Sequence, residues 1–290
     1  MASKSTAFCP GHITAFFEII DDPDILKKGS RGVGLCLSKG VVSTVEVSDS
    51  ADQEVSVYVE HRSAENTVTE LAVRKCLGGR KLEVTVDTMN ELPVSQGFGM
   101  SGAGALSAVI ALADAAGSGQ TTEDLVRIAH IAEVESLTGL GDVYPQATGG
   151  LVVSEMPGAP PYGKVKKTEI EQDVVLCILG GDLDTREVLQ DRRGVKRINR
   201  SGRERVDSFI SNPDLERLFS LSEDFAKDAG LATEKILEAI ESCAEYGYAG
   251  MSMLGNSVFA SGETEMLENI LKRFGKVIRC KVDNRGARTI

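Results

Sequence analysis

The sequence predicts an α+β fold in two domains. Strand and helix patterns are mixed along the 290 residues instead of strictly alternating, which favours an α+β arrangement over a parallel α/β sheet. This length is enough for one large domain or two of ordinary size. The densest cluster of proline and glycine lies at residues 156–163 and is the best candidate for a domain boundary. We therefore expect one domain over residues 1–160 and a second over residues 161–290.

The first half is rich in strands and leads into three helices. Apolar and β-branched runs predict strands at residues 7–9, 33–37, 41–47, 55–59, 81–87 and 151–154. Pro10-Gly11 and Lys39-Gly40 indicate turns. Threonine caps and glycine stops predict helices at residues 67–77, 106–116 and 121–135, followed by a short helical turn at 143–147.

The second half alternates between amphipathic helices and apolar strands. The helices are predicted at residues 185–210, 215–228, 233–244 and 263–274, with Thr233 as one N-cap. The strands are predicted at residues 174–179, 253–260 and 276–282.

Composition excludes several classes of function. A net charge of −11 argues against nucleic acid or an anionic membrane as a partner, although a nucleotide needs only a local positive field and Mg²⁺. The six cysteines are scattered without a C-x-x-C motif and the three histidines are far apart, so we expect no zinc site. Because no signal peptide or membrane-spanning run is visible, we expect a cytoplasmic protein with reduced thiols.

A glycine-rich loop at residues 93–105 is the most informative stretch. It joins the strand at 81–87 to the apolar helix at 106–116, and it contains Gly97, Gly99, Gly102 and Gly104. Glycine permits positive φ and leaves the backbone open to a ligand. The first turn of a helix has free N–H groups and a partial positive charge. Together these features predict a phosphate cradle.

Two other glycine-rich motifs do not match this loop, and one structural interpretation remains. The P-loop pattern is absent because no Gly-Lys-Ser/Thr follows. A Rossmann fingerprint would need a strand ending directly on G-x-G-x-x-G and an acidic residue about twenty positions later. The loop could also be a stretch of small residues that lets a helix pack closely on a sheet.

Two acidic residues downstream suggest what the loop does. Glu133 lies near the end of the helix at 121–135, and Asp142 lies among glycines with few other charges nearby. Transfer of a phosphoryl group to an alcohol needs a phosphate cradle, ligands for a hard cation, and a group that orients the hydroxyl and takes its proton. Ser101 and Glu133 could bind Mg²⁺, and Asp142 could be the base. Taken singly, an acidic residue of this kind is more often a solvated surface charge.

The string from Pro93 to Ala105 resembles the second motif of the GHMP kinases (galacto-, homoserine, mevalonate and phosphomevalonate kinases), Pro-x-x-x-Gly-Leu-Gly-Ser-Ser-Ala-Ala. Phe98, Met100 and Gly102 depart from that pattern, and Ser101 keeps its key serine. Pro10-Gly11-His12 resembles the first motif without its usual cation, and residues 247–257 resemble a third motif with fewer glycines.

The resemblance implies a two-domain fold, with a ribosomal-protein-S5-like N-terminal domain and a ferredoxin-like C-terminal domain, ATP and Mg²⁺ as cofactors, and a homodimer. It implies that Ser101 and Glu133 bind the metal and that Asp142 is the catalytic base. The nucleotide-binding residues that it implies are Pro93, Gly97, Gly99, Ser101, Gly102, Ala103 and Gly104.

Four strings resemble archaeal family members that phosphorylate the 4-hydroxyl of pantoate on the route to coenzyme A. They lie at residues 9–19, 97–105, 132–143 and 253–260. Pantoate carries a carboxylate, which needs a cation or N–H donors. Ser30, His130 and His12 are the candidate ligands, with Arg31 as a further one. The alternatives are a kinase for homoserine, shikimate or a mevalonate derivative, or a non-catalytic nucleotide-binding sensor.

Overall fold

The computed structural model describes residues 2–65, 67–181 and 191–290. The strands, numbered in chain order, are β1 (Ser3–Ile20), β2 (Gly29–Asp49), β3 (Glu54–Val59), β4 (Arg62–Ser63), β5 (Leu82–Asn90), β6 (Leu151–Met156), β7 (Lys164–Thr168), β8 (Asp173–Ile178), β9 (Gly247–Ser252), β10 (Ser257–Gly262), β11 (Lys276–Lys281) and β12 (Arg288–Thr289). The helices are α1 (Val68–Leu77), α2 (Met100–Ala115), α3 (Thr122–Ser136), α4 (Val143–Thr148), α5 (Arg192–Ser211), α6 (Leu215–Asp228), α7 (Glu234–Ser242) and α8 (Thr264–Leu271). This mixture confirms the α+β class. None of the helices in the described ranges is long and apolar enough to cross a membrane.

The first sheet is built around β1 and β2. Its strands lie in the order β12-β1-β2-β5-β3-β4, and β6 joins β2 to β7. Neighbouring strands are antiparallel except for β3 and β5. Helices α1, α2 and α3 pack together, and α2 contacts β1 and β2 directly. The hydroxyls of Ser43 on β2 and Ser107 on α2 are 2.7 Å apart within this buried layer. In the N-terminal half of the chain, α2 therefore packs directly against the sheet.

The turns predicted at Pro10-Gly11 and Lys39-Gly40 are wrong. β1 and β2 each run through these residues and pair along nearly their whole length, from Ser3 opposite Val47 to Ile20 opposite Gly29. A register shift between Pro10 and His12 accommodates the proline within the strand. A Cβ atom on Gly40 would lie 2.0 Å from the Cys9 carbonyl oxygen. This glycine therefore lets β1 and β2 approach each other closely and does not form a turn.

The predicted helix caps on α1, α3 and α7 are present. The hydroxyls of Thr67 and Thr233 accept hydrogen bonds from backbone N–H groups three residues later, and Thr121 forms a capping box with Asp124. The start of α2, however, lies at Met100, six positions before the predicted helix. Ser101 to Gly104 therefore belong to the first turns of the helix and not to the preceding loop.

The second sheet has the strand order β11-β8-β10-β9, and all of its strand pairs are antiparallel. Counted along the chain, β8, β9, β10 and β11 are the first to fourth strands of this sheet. Their order across the sheet is therefore fourth, first, third, second. That is a split βαβ arrangement of the ferredoxin-like type, as expected. The helix predicted at 185–210 is observed as α5, with Asp191 as its N-cap. Positions 185–190 of that prediction lie outside the described residues.

The two halves of the chain share a packed interface. The side-chain amide of Asn199 on α5 bonds to both the N–H and the carbonyl oxygen of Ile19 on β1, at 2.8 and 2.9 Å. The rings of Phe16 on β1 and Phe209 on α5 are 5.9 Å apart. β7 pairs with β6, so the first sheet extends to Thr168, beyond the predicted boundary at residue 160. The division into two domains therefore stays a prediction.

Substitution of Gly202 tests this interface. A Cβ atom at Gly202 on α5 would lie 1.8 Å from the carbonyl oxygen of Phe17 on β1, so the helix must move outward to accommodate an alanine. We expect Gly202→Ala to lower the free energy of unfolding by about 1–3 kcal/mol, which is typical of overpacking. Urea unfolding measures this change.

Gly79→Ala is the matched control. No atom would lie within 4 Å of its Cβ, and we expect a change within about 0.5 kcal/mol, as for most surface substitutions. Equal stability of the two variants would show that α5 does not pack on β1 as described.

Candidate active site

A cleft of about 660 Å³ opens beside the glycine-rich loop. It is lined by the loop itself, the first turn of α2, the start of α1, the end of β5 and residues 137–142. Met253 and Leu254, in the turn between β9 and β10, line it from the C-terminal half. Its size is typical of small-molecule sites. The structure therefore brings the glycine loop, Glu133 and Asp142 to one cavity.

The glycine loop takes a backbone conformation that excludes side chains. Gly97 and Gly99 have φ values of 79° and 62°, in the left-handed region. A Cβ atom would lie 2.8 Å from the Met253 carbonyl oxygen at Gly97, and 2.9 Å from Nε2 of Gln146 at Gly99. Gly99 precedes α2 and no side chain caps that helix. The first N–H groups of α2 are thus available to an anion in the cleft.

The predicted nucleotide-binding residues divide into two groups. Gly97, Gly99, Ser101 and Gly104 line the cleft, whereas Pro93, Gly102 and Ala103 do not. Ala103 is fully buried in the core. A Cβ atom at Gly102 would lie 3.1 Å from Oε2 of Glu133, so the glycine makes room for that carboxyl group. Their roles toward a nucleotide remain predictions, which the geometry favours for the first group.

Glu133 is buried at the base of the cleft, with 2% of its surface exposed. The Ser101 hydroxyl donates a hydrogen bond to its carboxyl group, and Thr138 Oγ1 donates another to Oε1 at 3.3 Å. Burial, and to a smaller extent the nearby Asp142, raise the pKa of Glu133 to about 8, even though the two hydrogen bonds offset part of the rise. Gly139 leaves space for the carboxyl group, since a Cβ atom there would clash with Oε2.

Asp142 precedes α4 and its side chain is 26% exposed to the cleft. Its Oδ1 is 2.7 Å from Nδ1 of His12 and 3.4 Å from Oγ1 of Thr14. Both contacts are made to Oδ1, so within the described part of the chain Oδ2 is the oxygen left to accept a proton. The role of Asp142 as a base stays a prediction, which its place in one cleft with Ser101 and Glu133 favours.

His12 was expected to bind substrate, but the structure pairs it with Asp142. Its side chain is 4% exposed and is not among the residues that line the cleft. The backbone N–H of His12 donates to the carbonyl oxygen of Phe98 at 2.9 Å, which links β1 to the glycine loop.

Of the other predicted substrate ligands, Ser30 lines the cleft, whereas His130 and Arg31 do not. Ser30 lines it beside Gly141, where a Cβ atom would lie 2.0 Å from Ser30 Oγ. His130 is buried outside the lining, with Nε2 3.1 Å from the Ile25 carbonyl oxygen. Burial lowers the pKa of His130, although the carbonyl groups of Ile25 and Lys28 offset part of this. Arg31 bonds to Glu18 and to other groups away from the cleft. The role of His130 stays a prediction without a supporting contact.

Sequence reasoning did not predict the contacts by which two further groups shape the site. Gln146 is buried, and its Nε2 donates to the Gly99 carbonyl oxygen at 2.7 Å. The start of β10 supports the glycine loop from behind, because the hydroxyl of Ser257, its first residue, donates to the Gln96 carbonyl oxygen at 2.6 Å. Residues 253–260 had been singled out by resemblance alone, and no local pattern indicated what they contact. Gln146 begins the string at residues 146–150 that follows Asp142 much as in the family pattern, but this resemblance did not indicate its contact with Gly99.

The charged side chains that line the cleft, among the described residues, are all acidic. Among the described residues that line it there are two carboxyl groups, Glu133 and Asp142, and no lysine or arginine. No group of three or more histidine, cysteine, aspartate or glutamate side chains in the described ranges could hold a metal by itself. Mg²⁺ needs fewer protein ligands, because it keeps waters and takes phosphate oxygens. A hydroxyl and a carboxyl group such as Ser101 and Glu133 suit it.

Comparison with known proteins decides the family. A model of the GHMP kinase N-terminal domain matches residues 65–150, the segment that contains the glycine loop, Glu133 and Asp142. A pantoate kinase of Methanocaldococcus jannaschii is 32% identical over 277 residues, which cover 95% of this chain and 99% of the relative. The chain belongs to the GHMP kinases. It is therefore a phosphotransferase of a family that uses ATP, as the sequence predicts.

Two further comparisons support this assignment. A pantoate kinase of Thermococcus kodakarensis is 36% identical over 273 residues, covering 90% of this chain and 89% of the relative. A solved structure described as a phosphotransferase related to the coenzyme A biosynthesis pathway has a TM-score of 0.90 and 28% identity, covering 99% of this chain and 98% of its own. The GHMP kinase fold is thus confirmed over essentially the full chain.

Glu133 should make the stability of the nucleotide-free protein depend on pH. Its pKa is about 8 in the folded protein against an ordinary value of 4.5, so between these values the folded state retains a proton that the unfolded state has lost. Stability contributed by this group therefore falls as pH rises through that window. We expect Glu133→Gln to remove this slope, so its stability relative to wild type should increase from pH 5 to pH 8 in urea unfolding.

Glu135→Gln, on the same helix with an exposed side chain, is the control. We expect its stability relative to wild type to change little with pH. If Glu133→Gln behaved in the same way, the Glu133 carboxyl group would not be protonated in the folded protein.

Proposed function

We propose that the chain transfers the γ-phosphoryl group of ATP to the 4-hydroxyl of pantoate, giving 4-phosphopantoate for coenzyme A biosynthesis. The observation that carries the proposal is the meeting of a phosphate cradle, a Ser101–Glu133 pair and Asp142 in one cleft. This cleft lies in a chain whose relatives over nearly its full length are pantoate kinases.

The nucleotide fits the part of the cleft formed by the glycine loop and the start of α1. Gly97 and Gly99 leave the backbone open, and the uncapped N-terminus of α2 favours phosphate oxygens. Val59, Val68 and Val94 supply apolar surface for a purine, and several hydroxyl and amide side chains supply polar contacts. These polar residues are Thr67, Thr69, Thr88, Asn90 and Ser95.

Ser101 and Glu133 are the residues that would hold Mg²⁺. Both are oxygen donors, they already contact each other, and the described residues of the surrounding lining offer the phosphates no basic side chain. Bound there, Mg²⁺ would neutralise phosphate charge as it develops. Glu133 must give up its proton to act as a ligand, and because its pKa is raised to about 8, metal binding near neutral pH should release a proton.

Asp142 is the proposed general base. The acceptor hydroxyl gives its proton to Asp142 as its oxygen forms a bond to the γ-phosphorus, and the bond to the β-phosphate oxygen breaks to release ADP. Most of the catalysis in such a transfer comes from positioning and electrostatic stabilisation. Oδ2 of Asp142 suits this role because Oδ1 is already bonded to His12 and Thr14.

The acceptor fits the end of the cleft that contains Asp142. Thr14, Ser30 and residues 138–141 line it there and offer hydroxyl and backbone N–H donors. With no lysine or arginine among the described lining residues, such donors are the proposed partners of the pantoate carboxylate, with Ser30 foremost. The Nε2 atom of His130 already contacts the carbonyl oxygen of Ile25. His130 could therefore bind the carboxylate through Nε2 only if the segment at residues 21–28 moved.

A homodimer and a cytoplasmic location are part of the same proposal. The family resemblance implies the dimer, and the acidic composition argues against nucleic acid or an anionic membrane as a partner. Light scattering during gel filtration distinguishes a dimer from a monomer.

Asp142→Asn tests the base. The substitution keeps the size and one oxygen of the side chain but cannot accept the proton at neutral pH, so we expect kcat to fall by about 10²–10⁴-fold, the usual contribution of a general base. The KM for ATP should change little. Steady-state kinetics by ADP release measure both constants.

Asp87→Asn is the matched control, since Asp87 also pairs with a histidine, His61, but lies outside the cleft. It should keep wild-type kinetics. Wild-type turnover in Asp142→Asn would exclude Asp142 as the base.

A panel of acceptors tests the substrate. We expect ADP release with Mg²⁺ and pantoate to exceed release with homoserine, shikimate and mevalonate derivatives. Preference for one of these other alcohols would show a GHMP kinase of different specificity. Nucleotide binding without release of ADP for any acceptor would favour a non-catalytic sensor.

A further inference from the structure

We propose that His12 is the positioning residue of this reaction, holding the Asp142 carboxylate in place where the first motif of the family usually carries a cation. The inference rests on the proposed role of Asp142 as the base and adds the group that orients it. Its basis is the geometry around the imidazole ring.

The contact between the two side chains is direct and short. Nδ1 of His12 lies 2.7 Å from Oδ1 of Asp142, across 130 positions of sequence. Oγ1 of Thr14 reaches the same oxygen at the longer distance of 3.4 Å. His12 is thus the stronger of the two described partners of this carboxylate, and of the two only the imidazole can carry positive charge.

The fold has a fixed place for this ring. A Cβ atom at Gly34 on β2 would lie 2.4 Å from Nε2 of His12 and 2.9 Å from Cε1, so the ring occupies the space where a side chain would otherwise lie. Nε2 is buried and has no hydrogen-bond partner in the described part of the chain. The ring therefore directs its one hydrogen bond to Asp142, and close packing fixes its orientation.

The backbone of His12 connects the same residue to the phosphate site. Its N–H donates to the carbonyl oxygen of Phe98 in the glycine loop at 2.9 Å. Two positions later, the Thr14 carbonyl oxygen accepts from the N–H of Met253 at 3.0 Å. One short segment of β1 thus sets the relative positions of the base, the glycine loop and the turn after β9.

The charge of the cleft explains why the base needs such a partner. Asp142 lies close enough to raise the pKa of Glu133, and the described lining of the cleft has no lysine or arginine to compensate the two carboxyl groups. A hydrogen bond from Nδ1–H stabilises the ionised Asp142 and leaves Oδ2 to take the proton of the acceptor. The histidine itself touches no substrate in this arrangement, because it lies outside the lining of the cleft.

A matched pair of substitutions separates positioning from packing. In His12→Asn the amide nitrogen can lie near the position of Nδ1, whereas in His12→Gln it extends toward the position of Nε2. We expect His12→Gln to lower kcat by about 10- to 100-fold, as loss of an orienting partner commonly does, with the KM for ATP unchanged. His12→Asn should recover most of that loss. Equal damage in both variants would overturn the proposal.

A double-mutant cycle shows whether His12 acts through Asp142. In an Asp142→Asn background, we expect His12→Gln to change kcat by about twofold or less, because the partner that it orients is already absent. A loss as large as in the wild-type background would mean that His12 acts independently of Asp142, and the proposal would be wrong.

Histidine NMR tests the pairing without any activity. The chain has three histidines, so ¹⁵N-histidine labelling gives three ring systems, and loss of one set in His12→Gln assigns His12. We expect Asp142→Asn to shift the ring signals of His12 only. Asp87→Asn is the control and should shift only the ring signals of His61, whose Nδ1 is 2.5 Å from Oδ2 of Asp87.

The unshifted histidines in each variant also report that the protein remains folded. If Asp142→Asn left the His12 signals unchanged, the pair would not exist in solution and the proposal would fail. That outcome is independent of which acceptor the enzyme phosphorylates, so failure of the proposed function and failure of this inference can be told apart.

Discussion

The site depends on one constraint, which is that two carboxyl groups share a cleft whose described lining residues include no basic side chain. Glu133 is almost fully buried and Asp142 lies close enough to raise its pKa, while the described lining contains no lysine or arginine. Two such groups are ionised together only if each has a partner that stabilises its charge. We assign Mg²⁺ to Glu133 and the His12 imidazole to Asp142. The separate partners give the two acids different roles in one reaction.

The fold meets this constraint with close backbone approach. Gly102 and Gly139 leave room for the Glu133 carboxyl group, and Gly34 leaves room for the His12 ring. A side chain at any of the three positions would displace a group that the chemistry needs. The glycine loop is held in the same way, because Gly97 lies against the turn after β9. The C-terminal half therefore supports the glycine loop, in addition to lining one side of the cleft.

Local signals in the sequence predicted much of this arrangement. The caps at Thr67, Thr121 and Thr233 follow from side-chain chemistry within one helical turn, and the glycine loop and both acids were found by their motifs. Contacts between distant residues were not predictable. β1 and β2 stay extended through Pro10-Gly11 and Lys39-Gly40 because pairing along both strands overrides local turn propensity. The His12–Asp142 pair spans 130 positions, and no periodicity or motif indicates such a contact.

The most direct test of the proposed mechanism is a crystal structure of the protein with Mg²⁺, a non-hydrolysable ATP analogue and pantoate. We predict phosphate oxygens at the N-terminus of α2, the metal bound by Ser101 and Glu133, and the pantoate 4-hydroxyl within hydrogen-bond distance of Asp142, with the Asp142–His12 contact intact. A complex in which the 4-hydroxyl lay away from Asp142, or in which the metal bound without Glu133, would contradict it.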